Sequence, residues 1–249
     1  MYRLHQFVSS HFNEKARWAL DYKGLEHQRI NYLPGPHRRA MVKLSGQPAT
    51  PVLQTGDNVI AGSAAIIDHL EQQHPAPALY PEDLSLRRQA LDLAEHWDKV
   101  TGPAVRTAAF SVFVDEPGYL AMTFSSGKAV LKRIGYRLMI PLVLPVIRNA
   151  NGVTPENVER SLRLTEQALD QVAEQARTTG YLVGDQFSVA DLTAASLLAP
   201  IASVKHPDMR RQEPQPDKLR VLLQRWSNHD AITWVNRMYD LHRQQPGRN

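Results

Sequence analysis

Polar and apolar positions alternate over Tyr2 to Phe7, and apolar residues then recur at helical spacing over residues 13 to 23 until Gly24. That pattern predicts a strand followed by a helix. Residues 27–32, HQRINY, predict a second strand. TPVLQTGDNVIAG predicts two short strands around a Gly56-Asp57-Asn58 turn. SAAIIDHLEQQ then reads as a helix with Ile66, Ile67 and Leu70 on one side, stopping before Pro75. The predicted order is β, α, β, a segment without clear periodicity, β, β, α.

Beyond this point the pattern becomes almost wholly helical. PAPALYPED, residues 75–83, carries three prolines and predicts an extended linker. The expected division is an α/β domain over 1–75, a linker over 76–84 and an all-helical domain over 85–249. Leu86, Ala90, Leu93, Trp97 and Val100 share one helix face, which reads Trp97 as packing, and the pattern predicts an end at Gly102-Pro103. Thr154 as N-cap and Pro155 at the first helical position start another helix, with Val158, Leu162, Thr165, Leu169 and Val172 as its stripe. Residues 104–150 interrupt their own periodicity and predict helices without definable ends. Within them LMIPLVLPVI, residues 138–147, is the most apolar run. It is half of the roughly 20 residues a membrane span needs and contains Pro141 and Pro145, so it reads as buried core rather than membrane.

Composition adds exclusions. With 43% hydrophobic and 22% charged residues over 249 positions, the chain has ordinary globular usage and can bury a sizeable core. A net charge of +4 suits small anionic ligands. The tight basic groups Arg38 with Arg39 and Lys205 with Arg210 and Arg211 form no stripe of the kind nucleic-acid binders carry. The opening MYRLHQF has no basic region followed by an apolar run, which predicts no secretory signal and a cytoplasmic protein. The sequence has no cysteine, which removes disulfides, cysteine metal sites, dithiol redox motifs and a cysteine nucleophile.

Three short stretches can carry chemistry. Ser9 and Ser10 stand at the turn from the first strand into the first helix. Either can cap that helix by accepting from an orphan N–H, or can donate to a bound thiolate at the positive end of the macrodipole. Thr50-Pro51 opens a strand after an irregular loop, and a cis bond there would leave the Thr50 backbone N–H and carbonyl available to a peptide-like ligand. Gly62-Ser63 leads into the next helix, where Ser63 can be a cap or part of a carboxylate site. Together the three fit a small peptide that carries a thiol and a carboxylate.

These residues, in this β, α, β, β, β, α order, resemble the thioredoxin-like half of the cytosolic glutathione S-transferases. The segment YLVGDQFSVADLTAASLLAP, residues 181–200, is similar to that family's C-terminal signature. Ser188 and Asp191 have capping-box spacing, with Phe187 and Leu192 at the staple positions. The resemblance implies the fold of that family: an α/β thioredoxin-like N-terminal domain plus an all-α C-terminal domain. It implies Ser10, five residues before Lys15, as the activating hydroxyl with Ser9 as fallback. Pro51 becomes the cis proline, with Thr50 holding the cysteinyl part of glutathione and Ser63 the γ-glutamyl part. Gly62 stands where the family has an acidic residue, and KLSGQPATP lacks its common asparagine-proline pattern, leaving Lys43, His37 and Arg38 as candidates for the glycyl end. Ser10-His11-Phe12-Asn13 replaces the C-x-x-C of redox-active relatives. Phe12, Phe110, Phe113 and Tyr119 are expected to line the second-substrate pocket. The implied activity is a detoxifying glutathione transferase, with glutathione as co-substrate, a small hydrophobic electrophile, a homodimer and no metal. The alternatives are a glutathione-dependent peroxide or disulfide reductase and a non-catalytic binding protein.

Overall fold

The computed structural model describes residues 1–243. Its first part contains β1 (Tyr2–Gln6), α1 (His11–Tyr22), β2 (His27–Asn31), α2 (His37–Ser45), β3 (Val52–Thr55), β4 (Asn58–Ala61) and α3 (Ser63–Gln73). The sheet order is β2-β1-β3-β4. β1 runs parallel to β2, with Tyr2 opposite His27, and antiparallel to β3, with Leu4 opposite Leu53. β3 and β4 form the predicted hairpin, Thr55 facing Asn58. The thioredoxin-like β, α, β, α, β, β, α order is therefore present. The segment without clear periodicity is α2, whose single buried residue, Met41, leaves too little apolar stripe to read.

The helical part contains α4 (Leu84–His96), α5 (Gly102–Phe113), α6 (Pro117–Phe124), α7 (Val130–Ala150), α8 (Pro155–Gln175), α9 (Val189–Ala202), α10 (Asp217–Gln224) and α11 (Asp230–His242). The expected stop at Gly102-Pro103 does not occur. A π turn over Trp97–Thr101 carries α4 directly into α5. Pro103 has no N–H to donate and its ring crowds the carbonyl four residues back; the wider turn just before it accommodates both. Gly102 is needed there for close approach, since an added Cβ would stand 2.7 Å from the Phe12 ring tip and 3.1 Å from Leu197.

One apolar core runs through both parts, joining Leu4, Trp18, Leu53 and Ile66 to Trp97, Leu192, Leu197 and Trp234. A second core gathers Phe113, Tyr119, Phe124, Tyr136, Ile140 and Ile147 under α6 and α7. The capping box forms as expected. The Ser188 N–H and Oγ meet Asp191 Oδ2 at 2.9 and 3.0 Å, while Leu182 donates its N–H to Asp191 Oδ1 at 2.8 Å. The 138–147 run departs from its reading as core. Ile140 and Ile147 are buried, but Leu138, Leu142 and Val146 point outward, because the helix packs along only one of its sides.

α1 lies between α3 and α9 and is buried almost all round, charged residues included. Those charges are answered inside. Lys15 Nζ donates to Asp98 of the π turn at 2.6 Å, and Arg17 Nε donates to Glu14 at 2.8 Å. Glu14 also accepts from Arg243 Nε at 2.9 Å and from the Tyr239 hydroxyl at 3.2 Å. Burial favours a neutral Glu14, but Arg243 and Arg17 outweigh it and hold the carboxyl down at about 2. Glu14, His206 and Asp208 bring ligand-type atoms within 4.8 Å of one another. Arg243 at 2.7 Å and Arg29 at 2.7 Å occupy Asp208, so guanidinium groups supply the positive charge of this cluster.

Candidate active site

Ser10 is the N-cap of α1, with φ −121° and ψ 128°, and its carbonyl accepts from the Glu14 N–H at 2.8 Å. Its side chain makes no capping bond. Ser10 is half-buried and lines a cleft of about 310 Å³. Phe7, Ser9, Phe12, His37, Arg38 and Thr50 line it as well. The helical part contributes Arg106 and Phe110 of α5, Phe124 of α6 and Val146 of α7 to the lining.

A chain of contacts brings the three predicted stretches together. Asn13, one turn into α1, donates its Nδ2 to Thr50 Oγ1 at 3.2 Å. Thr50-Pro51 is a cis peptide. The Pro51 carbonyl accepts from the Gly62 N–H at 2.9 Å, and Ser63 follows, buried, as the first residue of α3. Neither the N–H nor the carbonyl of Thr50 takes part in a turn or loop bond among the described residues. Gly62 has φ +97° and ψ 143°, a conformation that is essentially glycine's own. Nothing lies within 4 Å of where its Cβ would be, so backbone geometry alone opposes a side chain there.

Electrostatics make the cleft positive. Its lining includes Arg38 and Arg106 and no carboxylate. Arg106 sits over the Phe12 ring, 5.9 Å from the centroid, and its buried Nε has no hydrogen-bond partner. Burial pushes its pKa down from the ordinary guanidinium value, yet an arginine stays charged. His11 is neutral: burial holds its pKa at about 3, and its Nε2 donates to the Gly102 carbonyl at 3.0 Å. Burial also lowers His37, whose Nδ1 accepts from the Gly35 N–H at 3.1 Å.

Of the expected residues, Ser9, Ser10, Phe12, His37, Arg38, Thr50 and Phe110 line the cleft. Pro51, Gly62 and Ser63 lie beside it through the Pro51–Gly62 bond. Lys43 is exposed in the last turn of α2 and does not line it. Phe113 and Tyr119 do not line it either: they pack into the second core, Phe113 against Phe124 and Tyr119 with its hydroxyl donating to the Gln212 carbonyl at 2.9 Å. Asn13 and Arg106 were not singled out from sequence. Arg106 had a signal, being the one charged residue in the apolar stretch GPAVRTAAFSVFV.

A four-stranded thioredoxin-like domain packed on a helical domain, with an uncapping serine at a helix N-terminus lining the cleft between them, defines a two-domain thioredoxin-fold protein. Residues 4–78 match the glutathione S-transferase N-terminal domain and residues 155–228 the glutathione S-transferase C-terminal domain. The chain belongs to the glutathione S-transferase family. A maleylpyruvate isomerase from a Ralstonia species is 35% identical over 95 residues, 37% of this chain and 45% of its own length. The chain thus spans less than half the length of the curated relatives it matches. Among solved structures, a glutathione S-transferase from Pseudomonas fluorescens has a TM-score of 0.64 at 18% identity, covering 100% of this chain and 99% of that one. Another from Methylobacillus flagellatus, with GSH bound, has a TM-score of 0.64 at 15% identity, covering 97% and 95%. Both show the shared fold.

Proposed function

We propose that this protein is a glutathione transferase in which Ser10 stabilises the glutathione thiolate for attack on an electrophile held in the cleft. The observation that carries this reading is Ser10, which lines the cleft while its side chain makes no cap bond to α1. A free thiol ionises near about 8.5, and a hydrogen bond plus the helix N-terminus favour its anion. Thr50 offers backbone groups to the cysteinyl part, and Ser63 at the α3 N-terminus suits the γ-glutamyl carboxylate. Gly62 brings no carboxylate to the γ-glutamyl amine. Phe12 and Phe110 give the electrophile apolar walls. A cytoplasmic location and a homodimer belong to the same proposal. Turnover of glutathione with chlorodinitrobenzene should fall in Ser10→Ala by about 100- to 1,000-fold, with folding unchanged. Unchanged turnover, or loss only in Ser9→Ala, would refute the assignment.

Arg106 favours a second reading of the same site, glutathione-dependent isomerisation or conjugation of an anionic unsaturated substrate. A half-buried cation without a carboxylate in its cleft is suited to receive one from the ligand. One relative is a maleylpyruvate isomerase, and its name is consistent with such a substrate class.

A further inference from the structure

α7 is apolar on the wrong side for a helix that covers a soluble body. Its packed residues are Tyr136, Ile140 and Ile147. Val130, Leu131, Ile134, Leu138, Leu142 and Val146 are each between 52% and 83% exposed, and they make up half of the large apolar side chains exposed among the described residues. At about 100° per residue this exposed set centres on the side of α7 opposite the packed set. A surface helix ordinarily turns its polar face outward, so a contiguous outward apolar stripe marks a surface that meets another phase or molecule.

The charge around the stripe identifies which. Between Glu116 and Glu156 the sequence holds Lys128, Lys132, Arg133, Arg137 and Arg148 and no carboxylate side chain, a local charge of +5 against +4 for the whole chain. On the helix, Arg133, Arg137 and Arg148 flank the stripe on one edge and Lys132 lies beyond the other. Arg148 pairs with Asp115 at 3.5 Å, while Lys132, Arg133 and Arg137 make no ion pair among the described residues. Arg133 and Arg137 also stand on the wall of a groove of about 660 Å³ between α6 and α7, in which Glu116 is the sole carboxylate. Two-fold pairing of this face with a second copy would bring Lys132, Arg133 and Arg137 against their like, with Glu116 the sole carboxylate of the groove to answer them. An apolar stripe edged by unpaired cations fits an interface of acyl chains and anionic headgroups.

We infer that α7 docks this protein on anionic membrane surfaces, with Leu131, Leu138 and Leu142 entering the acyl boundary and Lys132, Arg133 and Arg137 meeting headgroup phosphates. The attachment is superficial, because no helix among the described residues is long and apolar enough to cross a membrane. The stripe ends at the cleft, where Val146 belongs to both.

Co-sedimentation of the full chain with vesicles of phosphatidylcholine alone, or of phosphatidylcholine with phosphatidylglycerol, tests this. Binding to the anionic vesicles should exceed that to neutral ones by about tenfold or more, and should be lost at high salt. Leu138→Glu with Leu142→Glu should remove it at an unchanged melting temperature. The triple change Lys132→Gln, Arg133→Gln, Arg137→Gln should independently abolish the preference for anionic lipid. Absence of binding to anionic vesicles, equal binding to neutral ones, or binding indifferent to both variants would overturn the inference. So would a dimer that the Leu138 and Leu142 changes split while vesicles remain unbound, since the face would then belong to a second copy.

Discussion

At the scale of single residues, the site depends on groups whose ordinary structural duties are left undone. Ser10 occupies a cap position without capping, and Arg106 lies in a cleft without an acidic partner. If Arg106 receives a carboxylate, Arg106→Met should lower kcat/KM for a chloronitrobenzoate by about 10- to 100-fold. The same change should leave neutral chlorodinitrobenzene within about threefold. Equal losses on both substrates would show that Arg106 serves packing or glutathione itself. Ser10 and Ser63 were legible in the sequence because a helix start is a local event that a serine announces. Arg106 showed only as the lone charge in an apolar stretch, since the rest of its distinction comes from what fails to approach it across the fold. Gly62 was legible only as a departure, and its positive φ supplies the physical reason a side chain is disfavoured there.

At the scale of elements, α1 shows how charge can be buried when partners arrive from distant segments. Glu14 has a folded pKa of about 2 against an ordinary 4.5, so its contribution to stability is present above about pH 4.5 and lost as pH falls through 2. Urea unfolding across that window should show stability falling in the wild type and a flatter profile in Glu14→Gln. Removing one member of a buried ion pair costs about 3–5 kcal/mol, and Arg243→Ala should destabilise the protein by that order, read from the same urea curves. A profile unchanged by Glu14→Gln would mean that the pair does not set the acid limit. Elements with local signals were readable: Ser188 with Asp191, Thr154 with Pro155 and the Gly56 turn all form as expected. α7 misled because an apolar run reveals that residues avoid water in the sequence average, not which side finds a neighbour. The Gly102-Pro103 stop misled because a π turn can absorb a proline that would otherwise end the helix.

At the scale of the whole molecule, the two parts are interlocked rather than merely linked. Glu14 of α1 is held by Tyr239 and Arg243, and the Trp18 indole donates to the His242 carbonyl at 3.0 Å. A shared core and shared charges predict a single cooperative unfolding transition by calorimetry, whereas two separate transitions would contradict the interlock. The same interlock positions the cleft, whose two walls come from the two parts. The central proposal is that glutathione binds in this cleft with its sulfur at Ser10. Ultraviolet difference titration of the thiolate of bound glutathione tests it most directly. The account predicts a pKa clearly below the about 8.5 of a free thiol in the wild type, moving back toward that value in Ser10→Ala. The same pKa in both proteins, or no glutathione bound to either at millimolar ligand, would contradict it.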